Sequence, residues 1–149
     1  MRDRSKLAAL RRIAAVEQVQ RTSAEVALRA ARNAEEAARD MAAQARDVAE
    51  SEHREWLRHV SGRTFSPELG MALGARAVDA EGRAEGAEAE AAAATSETDE
   101  RESAWRLLDA QARRTGASLR DLHRSMARRA EEMRLSALED RTTFEAMRP

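Results

Sequence analysis

The chain has 149 residues, 42% of them hydrophobic and 36% charged, with two Trp, two Phe, no Tyr, no Cys and a formal net charge of −1. Alanine supplies most of the hydrophobic share, which matches long helices and coiled coils and leaves too few large side chains for one compact core. The lack of cysteine excludes disulfides, thiolate metal sites and cysteine nucleophiles, and no apolar run approaches the roughly 20 residues that span a bilayer.

The segment from Met1 to Ser5 is polar and leads into no signal-peptide h-region, so a soluble, cytosolic protein is expected. Asp3 or Ser5 can cap a first helix by accepting free N–H groups of its first turn. Apolar residues then recur at Leu7, Leu10, Ile13, Val16, Val19, Ser23, Val26, Ala30, Ala34, Ala37, Met41, Ala45 and Val48, close to 3.5 residues per step. No Gly or Pro interrupts before Gly62. The spacing predicts helix 1 over about 5–60, on the order of 80 Å long. Gly62 suits the left-handed position after a helix C-terminus.

Residues 61–66 are the predicted turn. Ser66 then reads as an N-cap, Pro67 as the first helical residue and Glu68 as an acid at the positive dipole end, so helix 2 is predicted over about 67–148. Along it one seam recurs in steps of four and three: Leu73, Ala77, Ala80, Ala84, Ala87, Ala91, Ala94, Thr98, Arg101, Trp105, Leu108, Ala112, Thr115, Leu119, Leu122, Met126, Ala130, Met133, Ala137, Asp140, Phe144 and Met147. Only Thr98, Arg101, Thr115 and Asp140 break it, and a period held near 3.5 is the signature of a left-handed coiled-coil seam. Glycines at 70, 74, 82, 86 and 116 each cost up to about 1 kcal/mol against alanine, so the first third of helix 2 is expected to be its softest part.

The fold class expected is therefore all-α: two long helices in a single antiparallel coiled-coil hairpin over 1–149, the second longer than the first. Counting outward from the turn sets Leu7, Leu10, Ile13, Val16 and Val19 beside Leu122, Leu119, Thr115, Ala112 and Leu108. Ser23 falls beside Trp105, and Ala34, Ala37, Ala45 and Val48 along the run from Ala94 to Ala77, so volumes match across the seam. Helix 1 ends opposite about Met126. From Ala127 onward helix 2 has no intramolecular partner, yet Ala130, Met133, Ala137, Phe144 and Met147, with Leu135 and Leu138 beside them, continue the apolar stripe. Exposed apolar surface of this kind marks a docking site or a dimer seam.

Charge is unevenly spread. Residues 1–12 carry five basic side chains against one acid, 79–102 nine acids against Arg83 and Arg101, and 106–129 seven Arg against Asp109 and Asp121. Arg106, Arg113, Arg120, Arg124 and Arg128 form a basic strip, read first as coiled-coil flanks whose stems cover the seam. No aromatic platform accompanies the strip, so nucleic acid is not expected as a partner. His53, His59 and His123 do not share metal-ligand spacing and are expected to face solvent or flank the seam; no metal or cofactor is expected. The carboxylates read as a solvated acidic face, since a two-helix hairpin offers no pocket to perturb a catalytic pair, and no phosphate loop, nucleophile elbow or dinucleotide motif is present. The Gly-xxx-Gly spacings at Gly70–Gly74 and Gly82–Gly86 sit in stretches too polar or short for membrane packing. An enzyme and a small-molecule ligand are accordingly not expected.

The segments Ser103-Ala-Trp105-Arg106 and Glu139-Asp-Arg-Thr-Thr-Phe144-Glu-Ala-Met-Arg148, with the two-helix design, resemble the FliJ-like stalk proteins of flagellar type III export and their YscO-like injectisome counterparts. The resemblance implies a non-enzymatic stalk, cytoplasmic and peripherally attached to the inner-membrane export apparatus. Its open end would insert into the hexameric export ATPase, and its turn-proximal half would meet the export gate membrane protein, with export chaperones as further partners. On that resemblance Arg2, Arg4, Lys6, Leu7, Arg11, Arg128, Met133, Phe144 and Met147 face the ATPase, and Met41, Val48, Trp56, Leu69 and Leu73 face the gate. Family members display tyrosines on the gate-facing half, and this chain has none. Two other classes fit the same residues: a structural coiled-coil homo-oligomer or adaptor, and a nucleic-acid-binding helical hairpin.

Overall fold

A run of residues with neither glycine nor proline keeps one helix unbroken from Arg2 to Val60, and a second runs from Pro67 to Ala146. These helices, α1 of 59 residues and α2 of 80 residues, pack against each other as a hairpin. The computed structural model describes the backbone of residues 2–146 and the side chains of residues 3–144. Helix α1 starts before the predicted caps: Asp3 lies inside its first turn, and its carboxylate accepts a hydrogen bond from Arg129 instead.

The chain divides into two compact units, one of residues 1–23 with 106–149 and one of residues 24–105, so each helix contributes to both. In the second unit the core is small. Ala49, Ala80 and Ala84 are buried together with Ala45 packed on them, and Leu28, Ala42 and Leu73 are also buried. Each alanine removes little apolar area from water, so ion pairs and hydroxyls carry much of the specificity of this pairing. Arg46 donates to Glu81 at 2.7 Å and to Glu88 at 2.9 Å. Arg76 donates to Glu52 at 2.6 Å.

Two glycines of the second unit admit aromatic rings. A Cβ on Gly74 would lie 3.2 Å from Trp56 Nε1, and one on Gly70 would lie 3.1 Å from Phe65 Cε2. His59 closes the same corner: its Nε2 lies 3.0 Å from the Ser66 carbonyl and 3.3 Å from the Ser66 N–H, so its tautomer decides which bond forms. It is thus half-buried in the last turn of α1, the flanking place of the two expected for it. Ser66 accepts the Leu69 N–H at 3.4 Å, the N-cap that the sequence predicts. Gly62 departs from expectation. No described glycine has positive φ, and α1 ends by tightening, with Gly62 N donating to the His59 carbonyl at 3.3 Å.

The inward face of α2 follows the predicted seam from Leu73 to Met126 with one exception, Arg101, which is exposed while the neighbouring Glu102 turns inward. The inward face of α1 keeps Leu7, Leu10 and Ala45 of the predicted set and departs from it elsewhere. In the first unit Leu7, Leu10, Ala14, Glu17 and Arg21 turn inward, while Ile13, Val16 and Val19 are exposed. In the second unit the inward set is Ala24, Leu28, Ala31, Glu35, Ala38, Ala42, Ala45, Ala49, Glu52, Trp56 and His59, while Val26, Ala30, Ala34, Ala37, Met41 and Val48 are exposed. One residue step turns a helix by about 100°, so a shift of one position moves a whole stripe off the partner. The inward set keeps the 3.5 period, but apart from Leu7, Leu10, Leu28, Trp56 and His59 it is built of alanines and charged residues. They fit α2 because that helix offers threonines and carboxylates as partners for them, such as Thr95 for Glu35 and Asp109 for Arg21.

Candidate functional site

Within the first unit, Arg129 is bonded to Asp3 at the start of α1, so the expectation that α2 has no intramolecular partner from Ala127 onward does not hold at Arg129. Beyond Met126 every described side chain of α2, from Ala127 to Phe144, is exposed. An isolated helix satisfies its own backbone hydrogen bonds, and Thr142 and Thr143 add hydroxyl bonds of 2.9 and 2.7 Å to the Glu139 carbonyl. What remains unsatisfied is apolar area. Met133 is 72% exposed and Phe144 71%, with Leu135 and Leu138 more than half exposed. This is the surface that the seam periodicity foretells.

The basic residues assigned to the same end are placed as follows. Arg4, Lys6, Arg11 and Arg128 are exposed, and Leu7 is half-buried on the inward face of α1, so only part of it is free for a partner. The side chain of Arg2 and the whole of Met147 lie outside the described residues. The basic strip is partly neutralised within the unit: Arg113 lies 2.8 Å from Asp109, and Arg124 is paired with Asp121.

In the second unit the candidate gate-facing residues separate. Met41, Val48 and Leu69 are exposed, and Trp56 is half-buried. Leu73 is 6% exposed and cannot serve a partner, because the α2 seam has taken it into the core. Trp56, His53, Ala49, Gly74, Ala77 and Val78 line a shallow groove of about 560 Å³, where His53 lies tilted on the indole at 5.8 Å. Met41, Val48, Ala45 and Ala80 border a smaller one of about 280 Å³.

Buried polar groups cluster on the inward faces. Glu35 accepts from Thr95 Oγ1 at 3.0 Å and pairs with Arg39. Hydrogen bonds from Thr98 and then Thr95 hold its carboxyl below the ordinary carboxylate value, against the opposing effect of burial. Among the described residues no group of three or more His, Cys, Asp or Glu is arranged to hold a metal ion. No helix of the described residues is long and apolar enough to cross a membrane. Sequence reasoning missed the outward stripe of α1, whose signal was present in the same list of apolar residues, and it missed the polar inward face. Compared with protein-family models, curated proteins and solved structures, the chain has no match.

Proposed function

We propose that the chain is a non-enzymatic stalk that docks a larger assembly through the unpaired end of α2. The observation that supports this reading is the uninterrupted exposure of α2 from Ala127 to Phe144, on which Met133, Leu135, Leu138 and Phe144 stand in water. Apolar stripes of this length on a helix are characteristic of helix-in-groove recognition, with anchors at three- and four-residue steps. Arg4, Lys6, Arg11 and Arg128, exposed on the same unit, suit an acidic rim around that groove.

The identity of the partner follows from the resemblance to FliJ-like stalk proteins. The partner is the hexameric export ATPase of a flagellar type III apparatus. The exposed Met41, Val48 and Leu69 serve the export gate, and export chaperones complete the partner set, all at the cytoplasmic face of the inner membrane. Titrating the purified chain into the hexameric export ATPase and following complex formation by sedimentation tests this. Binding that weakens with rising salt supports a basic docking end, since exposed charges are screened over about 10 Å at 0.1 M salt. An absence of binding at low salt would overturn the assignment.

A further inference from the structure

The second unit, residues 24–105, sorts its arginines by position. Seven of its ten basic side chains, from Arg29 to Arg46 and from Arg76 to Arg101, each reach a carboxylate within 3.8 Å. The other three are Arg54, Arg58 and Arg63, all at the turn end, and none of them has a carboxylate partner among the described residues. Arg54 donates instead to the Glu50 backbone carbonyl at 3.2 Å. Acids are not scarce, because the unit carries 18 of them. Glu55 and Glu68 even lie at the same end of the hairpin without pairing to these three.

Their placement is unfavourable for the isolated chain. Arg54 and Arg58 stand one helical turn apart on α1, and like charges at that spacing repel. The negative end of the helix dipole offsets this for Arg58 in the last turn, an effect that fades before Arg54. Leu57 lies between the two, and with Ser51 and Ser61 they line a shallow groove of about 580 Å³. Leu57, Val60 and Phe65 are between 43% and 54% exposed. At 1.5 Å per residue Arg54 is about 9 Å from the end of α1 and Leu57 about 5 Å. Free guanidiniums and exposed apolar groups thus share the last two turns of α1 and the turn itself.

We propose that this end of the second unit seats on an anionic phospholipid surface. Guanidinium groups bind phosphate oxygens in a bidentate fork, and Arg54, Arg58 and Arg63 have theirs free. Leu57, Val60 and Phe65 enter the boundary between headgroups and acyl chains, at the depth of roughly 5 to 10 Å where interfacial segments lie. The long arginine stems let the charged heads stay at the phosphates above them. Charge sets the orientation. Residues 53–69 carry three Arg against Glu55 and Glu68, whereas the rest of the unit carries seven basic against sixteen acidic side chains. An anionic plane therefore attracts this end and repels the flanks, which also keeps a nucleic-acid strand from lying along the helices. A free phosphate would leave the three apolar groups in water, and an acidic protein would need a pocket shaped for each of them. The contact uses α1 and the turn, not Leu69 of α2, and goes beyond the export reading.

Co-sedimentation of the full chain with vesicles tests this without the ATPase, so its outcome is separate from that of the export reading. Vesicles of equal parts phosphatidylcholine and phosphatidylglycerol are expected to bind the chain, and phosphatidylcholine alone to bind it about tenfold less. One arginine near an anionic surface is worth about fivefold in affinity, so Arg54→Glu with Arg58→Glu is expected to weaken binding at least twentyfold. Leu57→Ser with Val60→Ser is expected to weaken it about tenfold, and both pairs keep the helical circular dichroism. The chain has no cysteine, so a fluorophore on Thr64→Cys in the turn reports the geometry. Its emission is expected to shift to the blue on anionic vesicles, while the same fluorophore on Asn33→Cys, far from the turn in the same unit, does not shift. Inorganic phosphate is expected to displace no more chain than chloride of equal ionic strength. Failure to bind anionic vesicles, undiminished binding by Arg54→Glu with Arg58→Glu, a shift at Asn33 without one at Thr64, or specific displacement by phosphate overturns the proposal.

Discussion

Arg21 Nε stands 2.9 Å from Asp109 Oδ1 on the inward faces of α1 and α2, in ion-pair contact but outside hydrogen-bond geometry, while Arg113 Nε reaches the other carboxylate oxygen at 2.8 Å. Asp109 is 7% exposed, so removing it strands Arg21 beside an apolar seam. Asp109→Ala is expected to cost about 2 kcal/mol in urea unfolding, at the low side for a buried pair because Arg21 keeps part of its surface in water. Replacing both partners, as Arg21→Leu with Asp109→Leu, is expected to return stability to within about 1 kcal/mol of the parent or above it.

Glu35 makes stability depend on pH. Its folded-state carboxyl is held below the ordinary value of 4.5, first by Thr98 and then by Thr95. A depressed carboxyl stabilises the fold fully above its unfolded value and loses that contribution as pH falls through the folded one. Thermal unfolding followed from pH 7 downward is therefore expected to show a falling midpoint below about pH 4.5, and Glu35→Gln is expected to flatten part of that fall.

The helical glycines divide by surroundings. A Cβ at Gly82 or Gly86 meets nothing within 4 Å, so Gly82→Ala and Gly86→Ala are each expected to stabilise by about 0.5 to 1 kcal/mol, read as a raised melting temperature. Gly74→Ala is expected to gain less or to lose, because its Cβ would press on the Trp56 ring at 3.2 Å. Tryptophan fluorescence of that variant is expected to shift as the indole moves.

The hairpin, the turn at Ser66 and Pro67 and the inward face of α2 were legible in the sequence because each rests on local rules. Capping needs one side chain, and the α2 seam has one apolar set to choose from. Helix α1 was harder because it carries two stripes one residue apart. Side-chain volume favours Ile13, Val16 and Met41 as the core, yet α2 presents Thr95, Thr98 and Asp109, and it selects Glu35 and Arg21 instead. That choice is made by pairing across the helices, which no single helix displays. The turn shows the same limit: Gly62 looked like a left-handed cap, whereas the glycines that matter are Gly70 and Gly74, whose use depends on where Phe65 and Trp56 fall.

The bare end of α2 was legible for the opposite reason. Its exposure follows from helix length alone, since α1 is 59 residues and α2 is 80. The most direct measurement compares the full chain with a chain ending at Ala127 in binding to the hexameric export ATPase, with circular dichroism as the control for folding. The truncated hairpin is expected to keep its cooperative melt and lose binding by at least about a hundredfold, the scale of burying two or three large apolar side chains. A folded truncated chain that binds as well as the full one would contradict the assignment of docking to Met133, Leu135, Leu138 and Phe144.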